Sequence, residues 1–209
     1  MRDKLEEIKF GSSIYIRRNV FSNREMQDIR KDIDKYADKI EDYSERQNVK
    51  SIYLEFVNLF DYNPTIALGI KEAFERIQRE LYTSVVGRMQ SVNYYEMHLR
   101  KINGPTRVHV DGAISLVPIN DPPNYKNRGT DVRLFSVIIA LNSDYEGGEF
   151  FFPRQDITIK LKAGEALIFP PYWTHPHSTN DLNGTFRYTI NSWLQECKEL
   201  LPNTTMLNV

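Results

Sequence analysis

The sequence predicts an α+β fold in which two N-terminal amphipathic helices buttress one face of an antiparallel β domain of the sandwich or jelly-roll type. Three observations predict it. Apolar residues recur at helical spacing as far as Leu81, short β-rich runs take over from Val92, and Gly- or Asn-containing turns join those runs without long helices between them.

The elements follow in order. Ser13 to Ile16 reads as a first strand, and Ser22-Asn-Arg-Glu25 reads as a capping box, hydroxyl and carboxylate each satisfying an orphan amide. Met26, Ile29, Ile33, Tyr36 and Ile40 then place one apolar stripe on a helix of roughly 18 residues. Pro64 opens a second helix, whose stripe is Ile66, Ile70, Phe74, Ile77 and Leu81, fading near Gly87. Strands are expected at Val92–Leu99, Arg107–Val110, Val132–Leu141, Glu149–Phe152, Ile157–Leu161, Ala166–Phe169 and Phe186–Leu194. Asn103-Gly104, Gly147-Gly148, Ala163-Gly164 and Asn183-Gly184 supply turns. Between Gly112 and Asp131 lies a polar loop rich in Pro and Asn, long enough for a lid or substrate loop. The 209 residues, 41% of them apolar, suit one domain over 1–209, with 1–90 as mainly helical support, 91–195 as the β core and 112–131 as the lid.

Composition narrows the partners. A net charge of −1 with both signs spread along the chain gives no basic footprint, so neither nucleic acid nor an anionic membrane is an expected partner. The opening MRDKLEEIKF lacks the apolar core of a signal peptide, and no stretch stays apolar over the length that spans a bilayer. Cys197 is the only cysteine, so no internal disulfide forms, and a reducing, cytoplasmic setting is expected. Asn183-Gly-Thr and Asn203-Thr-Thr match the glycosylation tripeptide, but that requires export. The expected partners are small molecules or another polypeptide. Composition leaves the oligomeric state open.

Three of the four histidines fall in two short clusters, His109-Val-Asp111 and His175-Pro-His177, while His98 alternates with Met97 and Leu99 as a sheet residue. In an extended segment residues i and i+2 face the same way. His109 and Asp111 therefore reach one ion from one side, and a histidine from another strand closes the triangle. Two imidazoles and one carboxylate on a single octahedral face leave three positions open, the arrangement of non-haem Fe(II) oxygenases. Geometry alone allows either His175 or His177 as the third ligand, because both share a face if that segment is extended.

From Leu99 to Leu194 the sequence resembles the 2-oxoglutarate/Fe(II) oxygenase superfamily, and within it the prolyl 4-hydroxylase-like branch. The resemblance rests on His109-Val-Asp111, Leu141-Asn-Ser-Asp-Tyr-Glu-Gly-Gly-Glu-Phe-Phe-Phe-Pro153, Lys162-Ala-Gly-Glu-Ala-Leu-Ile-Phe-Pro170, His175 and Gly184-Thr-Phe-Arg187-Tyr, in the family's order and spacing. It implies a double-stranded β-helix, cupin-like. It implies Fe(II) held by His109, Asp111 and His175, the last chosen by its five-residue distance from Pro170, with His177 as a neighbouring or exposed polar residue. Arg187 corresponds to the basic residue that binds the far carboxylate of 2-oxoglutarate, where a guanidinium offers two parallel charge-assisted hydrogen bonds. Thr189 shares its face and offers another donor. A tyrosine common in the family aligns here near Lys101, so Tyr94, or Tyr95, is the expected aromatic contact to the co-substrate. Trp173 and Trp193 read as packing residues.

The implied reaction is dioxygenase hydroxylation of an unactivated C–H bond, with O2 consumed, 2-oxoglutarate converted to succinate and CO2, and ascorbate an optional reductant. Because Asp111 is a carboxylate rather than a small residue, halogenation is not expected. A peptidyl prolyl residue is the first substrate class. A free amino acid or other small metabolite, undergoing hydroxylation, desaturation or cyclisation, is the second. A non-enzymatic jelly-roll binding module is the remote third.

Overall fold

A computed structural model describes residues 5–37, 51–55, 63–86, 92–112 and 131–197. The expected lid at 112–131 lies, apart from its two end residues, outside the described residues, as does the end of the first helix beyond Ala37.

The local signals for the helices are met. Helix α1 spans Asn23–Ala37. Its capping box forms: the Ser22 amide and hydroxyl each donate to Glu25 Oε2 at 2.7 Å, and the Glu25 amide donates to Ser22 Oγ at 3.3 Å. The Ser22 hydroxyl, followed by its amide, holds the Glu25 carboxyl below its ordinary value. Helix α2 spans Pro64–Leu81 and continues as a wider turn over Tyr82–Val86. Asn63 caps it by accepting from the Ile66 amide at 3.3 Å, while its own amide group donates to Asp32 of α1. Buried Met26, Ile29 and Ile33 of α1 and Ile70, Phe74 and Ile77 of α2 form one packed layer.

The strands are β1 (Glu6–Glu7), β2 (Tyr15–Arg17), β3 (Ser51–Glu55), β4 (Val92–Ile102), β5 (Thr106–His109), β6 (Asp131–Ala140), β7 (Phe150–Phe152), β8 (Ile157–Ile159), β9 (Ala166–Phe169), β10 (His177–Thr179) and β11 (Arg187–Cys197). Two sheets result. The larger runs β1-β2-β9-β6-β11-β4-β3 and the smaller β5-β10-β7-β8, and every recorded pairing is antiparallel. This is the double-stranded β-helix with helices on one face.

Period-two alternation decides what each face of the large sheet touches. Val137 and Ile139 of β6, Tyr188, Ile190 and Leu194 of β11, and Met97 and Leu99 of β4 pack in the helix-side core. Between the sheets, Ile138, Ala140, Leu167 and Phe169 meet Phe150 and Phe152 of the small sheet. Phe152 and Phe169 close that layer edge to face, centroids 5.0 Å apart. Each such buried side chain contributes about 1.5–3 kcal/mol of transfer free energy.

Three strands depart from the sequence reading. β1 has two residues and so carries no period. β3 pairs with β4 from within the region assigned to helical support. β10 is His177-Ser-Thr179, too short and too polar for an alternation argument, yet it lies between β5 and β7 at the centre of the small sheet. No helix among the described residues is long and apolar enough to cross a membrane.

Candidate metal centre

The site lies where β5, β10, β6 and β11 approach one another. β5 ends at His109, and Asp111 follows two residues later. The next residue must be small: a Cβ on Gly112 would stand 2.6 Å from the Tyr172 ring, and the Gly112 amide donates to the Pro171 carbonyl at 2.7 Å. That clamp, with Arg133 donating to the Asp111 carbonyl at 2.6 Å, fixes the backbone at Asp111.

The third partner is His177. It is the register partner of His109 across the β10–β5 ladder, the two rings 4.4 Å apart. His109, Asp111 and His177 each offer a ligand atom, all within 4.8 Å of one another. His109 Nε2 lies 3.3 Å from Asp111 Oδ1, and His177 Nε2 lies 3.8 Å from Asp111 Oδ2.

His175, the expected third ligand, is placed elsewhere. The segment is extended only from His177 onward; His175 sits in the preceding turn, its amide donating to the Tyr172 carbonyl. Its Nε2 meets the Ser12 carbonyl at 2.8 Å and its Nδ1 meets Thr174 Oγ1 at 2.8 Å, so both ring nitrogens are engaged away from Asp111. Residue counting from Pro170 missed this because the turn consumes residues that a strand would have spent on reach.

The donor set fits a divalent cation such as Fe(II). His109 Nδ1 donates to the Arg107 carbonyl at 2.8 Å and His177 Nδ1 to the His175 carbonyl at 3.2 Å, which leaves both Nε2 lone pairs for a metal. Ser136 donates to Asp111 Oδ2 at 2.7 Å. Burial raises the Asp111 carboxyl, but the hydrogen bond from His109, the neighbouring His177 and the Ser136 hydroxyl together hold it well below the carboxylate range. Burial also lowers His109, and there the Asp111 and Arg107 hydrogen bonds win, raising it above an ordinary imidazole. At His177 burial dominates and its value falls.

Behind the triad is a cavity of about 50 Å³ whose lining includes His109, Asp111, His177, Arg100, Arg187 and Thr189. Arg187 is 2% exposed. Its guanidinium donates to the Gly148 carbonyl at 2.6 Å and lies over the Phe150 ring, 4.7 Å from the centroid. Burial brings it down to about 10, the Arg100 charge acting the same way. Its Nε is buried with no hydrogen-bond partner. A buried, unsatisfied cationic donor facing a cavity matches an anionic ligand group such as a carboxylate.

The sequence motifs explain how Arg187 is aimed. Asn142 bridges the end of β6 to the start of β11, donating to the Phe186 carbonyl at 2.9 Å and accepting from the Tyr188 amide at 2.8 Å. The Gly147-Gly148 turn brings in the Gly148 carbonyl. Gly147 has φ +61°, and a Cβ there would sit 2.0 Å from the Asp181 carbonyl oxygen, so only glycine fits.

Thr189 lines the cavity as expected and donates to Asn191 Oδ1 at 2.7 Å. Tyr94 pairs with Leu194 beyond a register shift in β11, and the expectation for the Tyr94 and Tyr95 side chains falls outside the described residues. Lys101 faces the helices, bonding Asp34 at 2.7 Å; its neighbour Arg100 lines the cavity. Trp193 is buried, with Arg133 stacked 3.9 Å from its centroid, whereas Trp173 is exposed rather than packed. Arg100, Ser136 and Asn191 were missed, although alternation from Ile102, Ile138 and Arg187 marks each of them for the cavity face.

The family model described as "2OG-Fe(II) oxygenase superfamily" matches residues 90–195, half of the chain and every residue of this site. The chain belongs to the 2OG-Fe(II) oxygenase superfamily. Among curated oxygenases it is 28% identical to prolyl 3-hydroxylase 1 of Rattus norvegicus over 133 residues, and 27% identical to the Homo sapiens protein. Those alignments cover 59% of this chain but only 18% and 17% of the relatives' lengths. Among solved structures, the viral collagen prolyl hydroxylase of Paramecium Bursaria Chlorella virus-1, in its 2OG complex, superposes with a TM-score of 0.63 at 18% identity, covering 92% of this chain and 100% of that one. The Trichoplax adhaerens prolyl hydroxylase, in complex with a hypoxia inducible factor peptide fragment, gives 0.62 at 13% identity, covering 89% and 84%. These superpositions establish the shared oxygenase fold.

Proposed function

We propose that this oxygenase is an Fe(II)- and 2-oxoglutarate-dependent prolyl hydroxylase acting on proline within a polypeptide. One observation carries the reading: a two-histidine, one-carboxylate triad and a buried arginine with an unsatisfied Nε line the same small cavity. Iron(II) with 2-oxoglutarate and O2 supplies the oxidising power that turns C–H into C–OH while 2-oxoglutarate becomes succinate and CO2.

This chain's residues do the positioning. His109, Asp111 and His177 hold the metal, the Nδ1 hydrogen bonds and Ser136 orienting their lone pairs. Arg187 takes the far carboxylate of 2-oxoglutarate, and Phe150 and Ile138 keep water from that end. The side chain of His109 is 40% exposed against 3% for His177, so substrate approaches from the β5 side. Peptidyl proline as substrate is supported by the prolyl hydroxylase relatives, and by a structural neighbour solved in complex with a peptide fragment.

Succinate release with Fe(II), 2-oxoglutarate and ascorbate, run against proline-rich peptides and free amino acids, tests the reading. Stimulation by peptides with a 16 Da gain on proline supports it, and hydrolysis to free hydroxyproline tells the 3- from the 4-isomer. Stimulation by a free amino acid alone overturns it.

A further inference from the structure

The cavity, as the described residues line it, holds about 50 Å³, and the far carboxylate of 2-oxoglutarate claims that room at Arg187. A site that encloses a small molecule whole spans about 300 Å³ or more. The reacting carbon is therefore offered from outside, over the open side at His109, by a substrate whose body lies across the rim.

That rim is apolar. Val108 and Val110 flank His109 in the chain and are 62% and 42% exposed, and β5 is the edge strand of the small sheet. Two residues beyond Val110, Gly112 lies against the Tyr172 ring. Trp173 follows, its ring centroid 5.7 Å from that of Tyr172, yet it is itself 67% exposed. An indole left in water forgoes the burial that most tryptophans obtain. The turn that carries it is nevertheless pinned on both sides. The Gly112 amide donates to the Pro171 carbonyl at 2.7 Å, the Gln155 side chain donates to the Thr174 carbonyl at 2.9 Å, and His175 Nε2 donates to the Ser12 carbonyl at 2.8 Å. Its backbone is thus ordered before any partner arrives, which cuts the entropy cost of binding. A proline-bearing segment suits such a surface. Each proline fixes φ near about −65° and lacks an amide proton, so successive prolines present apolar ring faces along a polyproline II helix, which aromatic surfaces take up without backbone pairing.

We propose that Trp173 is the docking platform for a second proline of the substrate, one that flanks the proline being hydroxylated, with Val108 and Val110 continuing the apolar contact beside His109. The proposal rests on the polypeptide reading of the site. Trp173 is a specificity residue here, outside the metal and co-substrate machinery.

Fluorescence anisotropy of labelled peptides, with Mn(II)- and 2-oxoglutarate-loaded protein kept free of O2, reads binding without turnover. Two peptides of equal length are compared, one with prolines on either side of the target proline and one with those neighbours replaced by alanine. Wild type should bind the proline-flanked peptide about tenfold more tightly. Trp173→Ala should lose that preference while its affinity for the single-proline peptide, its affinity for 2-oxoglutarate and its metal stoichiometry stay unchanged. Trp173→Tyr should keep most of the preference. Leu68→Ala, which trims an exposed leucine of α2, should change nothing. If Trp173→Ala does not fold, Trp173→Gln takes its place. Equal binding of the two peptides by wild type, or a Trp173→Ala protein that keeps the preference, overturns the proposal, as does an equal loss in Leu68→Ala. If wild type binds neither peptide, the polypeptide reading falls and this proposal with it, a result distinct from the others.

Discussion

His177 stands directly across the β10–β5 ladder from His109, the two rings 4.4 Å apart and Asp111 within ion-pair range of both. Strand register, not distance along the chain, brings these two histidines together beside Asp111. His177→Ala should therefore abolish Fe(II) binding and turnover. His175→Ala should retain one metal per chain and lose about 1–2 kcal/mol of stability, the cost of the freed Ser12 carbonyl. Metal analysis and thermal melts of the two variants decide it; a metal-free His175→Ala protein would restore the other assignment.

Arg187 touches both the fold and the cavity. Arg187→Met should raise the 2-oxoglutarate requirement at least a hundredfold while leaving metal stoichiometry intact, because a buried carboxylate would lose its charged partner. Lysine should be milder but still harmful, lacking the fork. Steady-state titration of 2-oxoglutarate reads this out, and an unchanged KM would exclude the role.

Ser136→Ala removes one hydrogen bond from Asp111 Oδ2 without entering the coordination sphere. Metal affinity should fall about 10–100-fold with the fold preserved. Competition against a metal-sensitive dye measures it; wild-type affinity would show that the hydroxyl is dispensable.

Protons and metal compete for the imidazoles. His109 is raised above the ordinary value of 6.5, so the metal-free site keeps its proton past that pH, while burial lowers His177 and biases it toward the neutral form. Metal binding between about pH 6 and 7 should release close to one proton rather than two, and affinity should climb with pH until His109 has titrated. Calorimetry of Mn(II) binding in buffers of different ionisation enthalpy counts the protons. Release of two would mean that His177 is charged as well.

Much of this was legible in the sequence. Met26, Ile29 and Ile33 announced α1, Ser22 and Glu25 its start, and the Gly147-Gly148 turn and Asn142 motif marked the approach to Arg187. What stayed hidden depended on pairing. β10 has three polar or aromatic residues and acquires its identity only by lying between β5 and β7, so no local pattern picks out His177 over His175. Arg100 was missed for a different reason, since alternation along β4 puts it on the face of Ile102 but does not say which face meets the cavity.

The alternation of β11 has an evolutionary consequence. Tyr188, Ile190 and Leu194 serve the helix-side core, whereas Arg187, Thr189 and Asn191 serve the cavity. Helix-side packing and cavity lining are thereby inherited on separate, interleaved letters of one strand. A mutational library confined to Thr189 and Asn191 would explore new specificities at little risk to the scaffold, and a one-residue insertion would forfeit both at once. Such a strand lets selection revise what is bound while conserving how the chain is built.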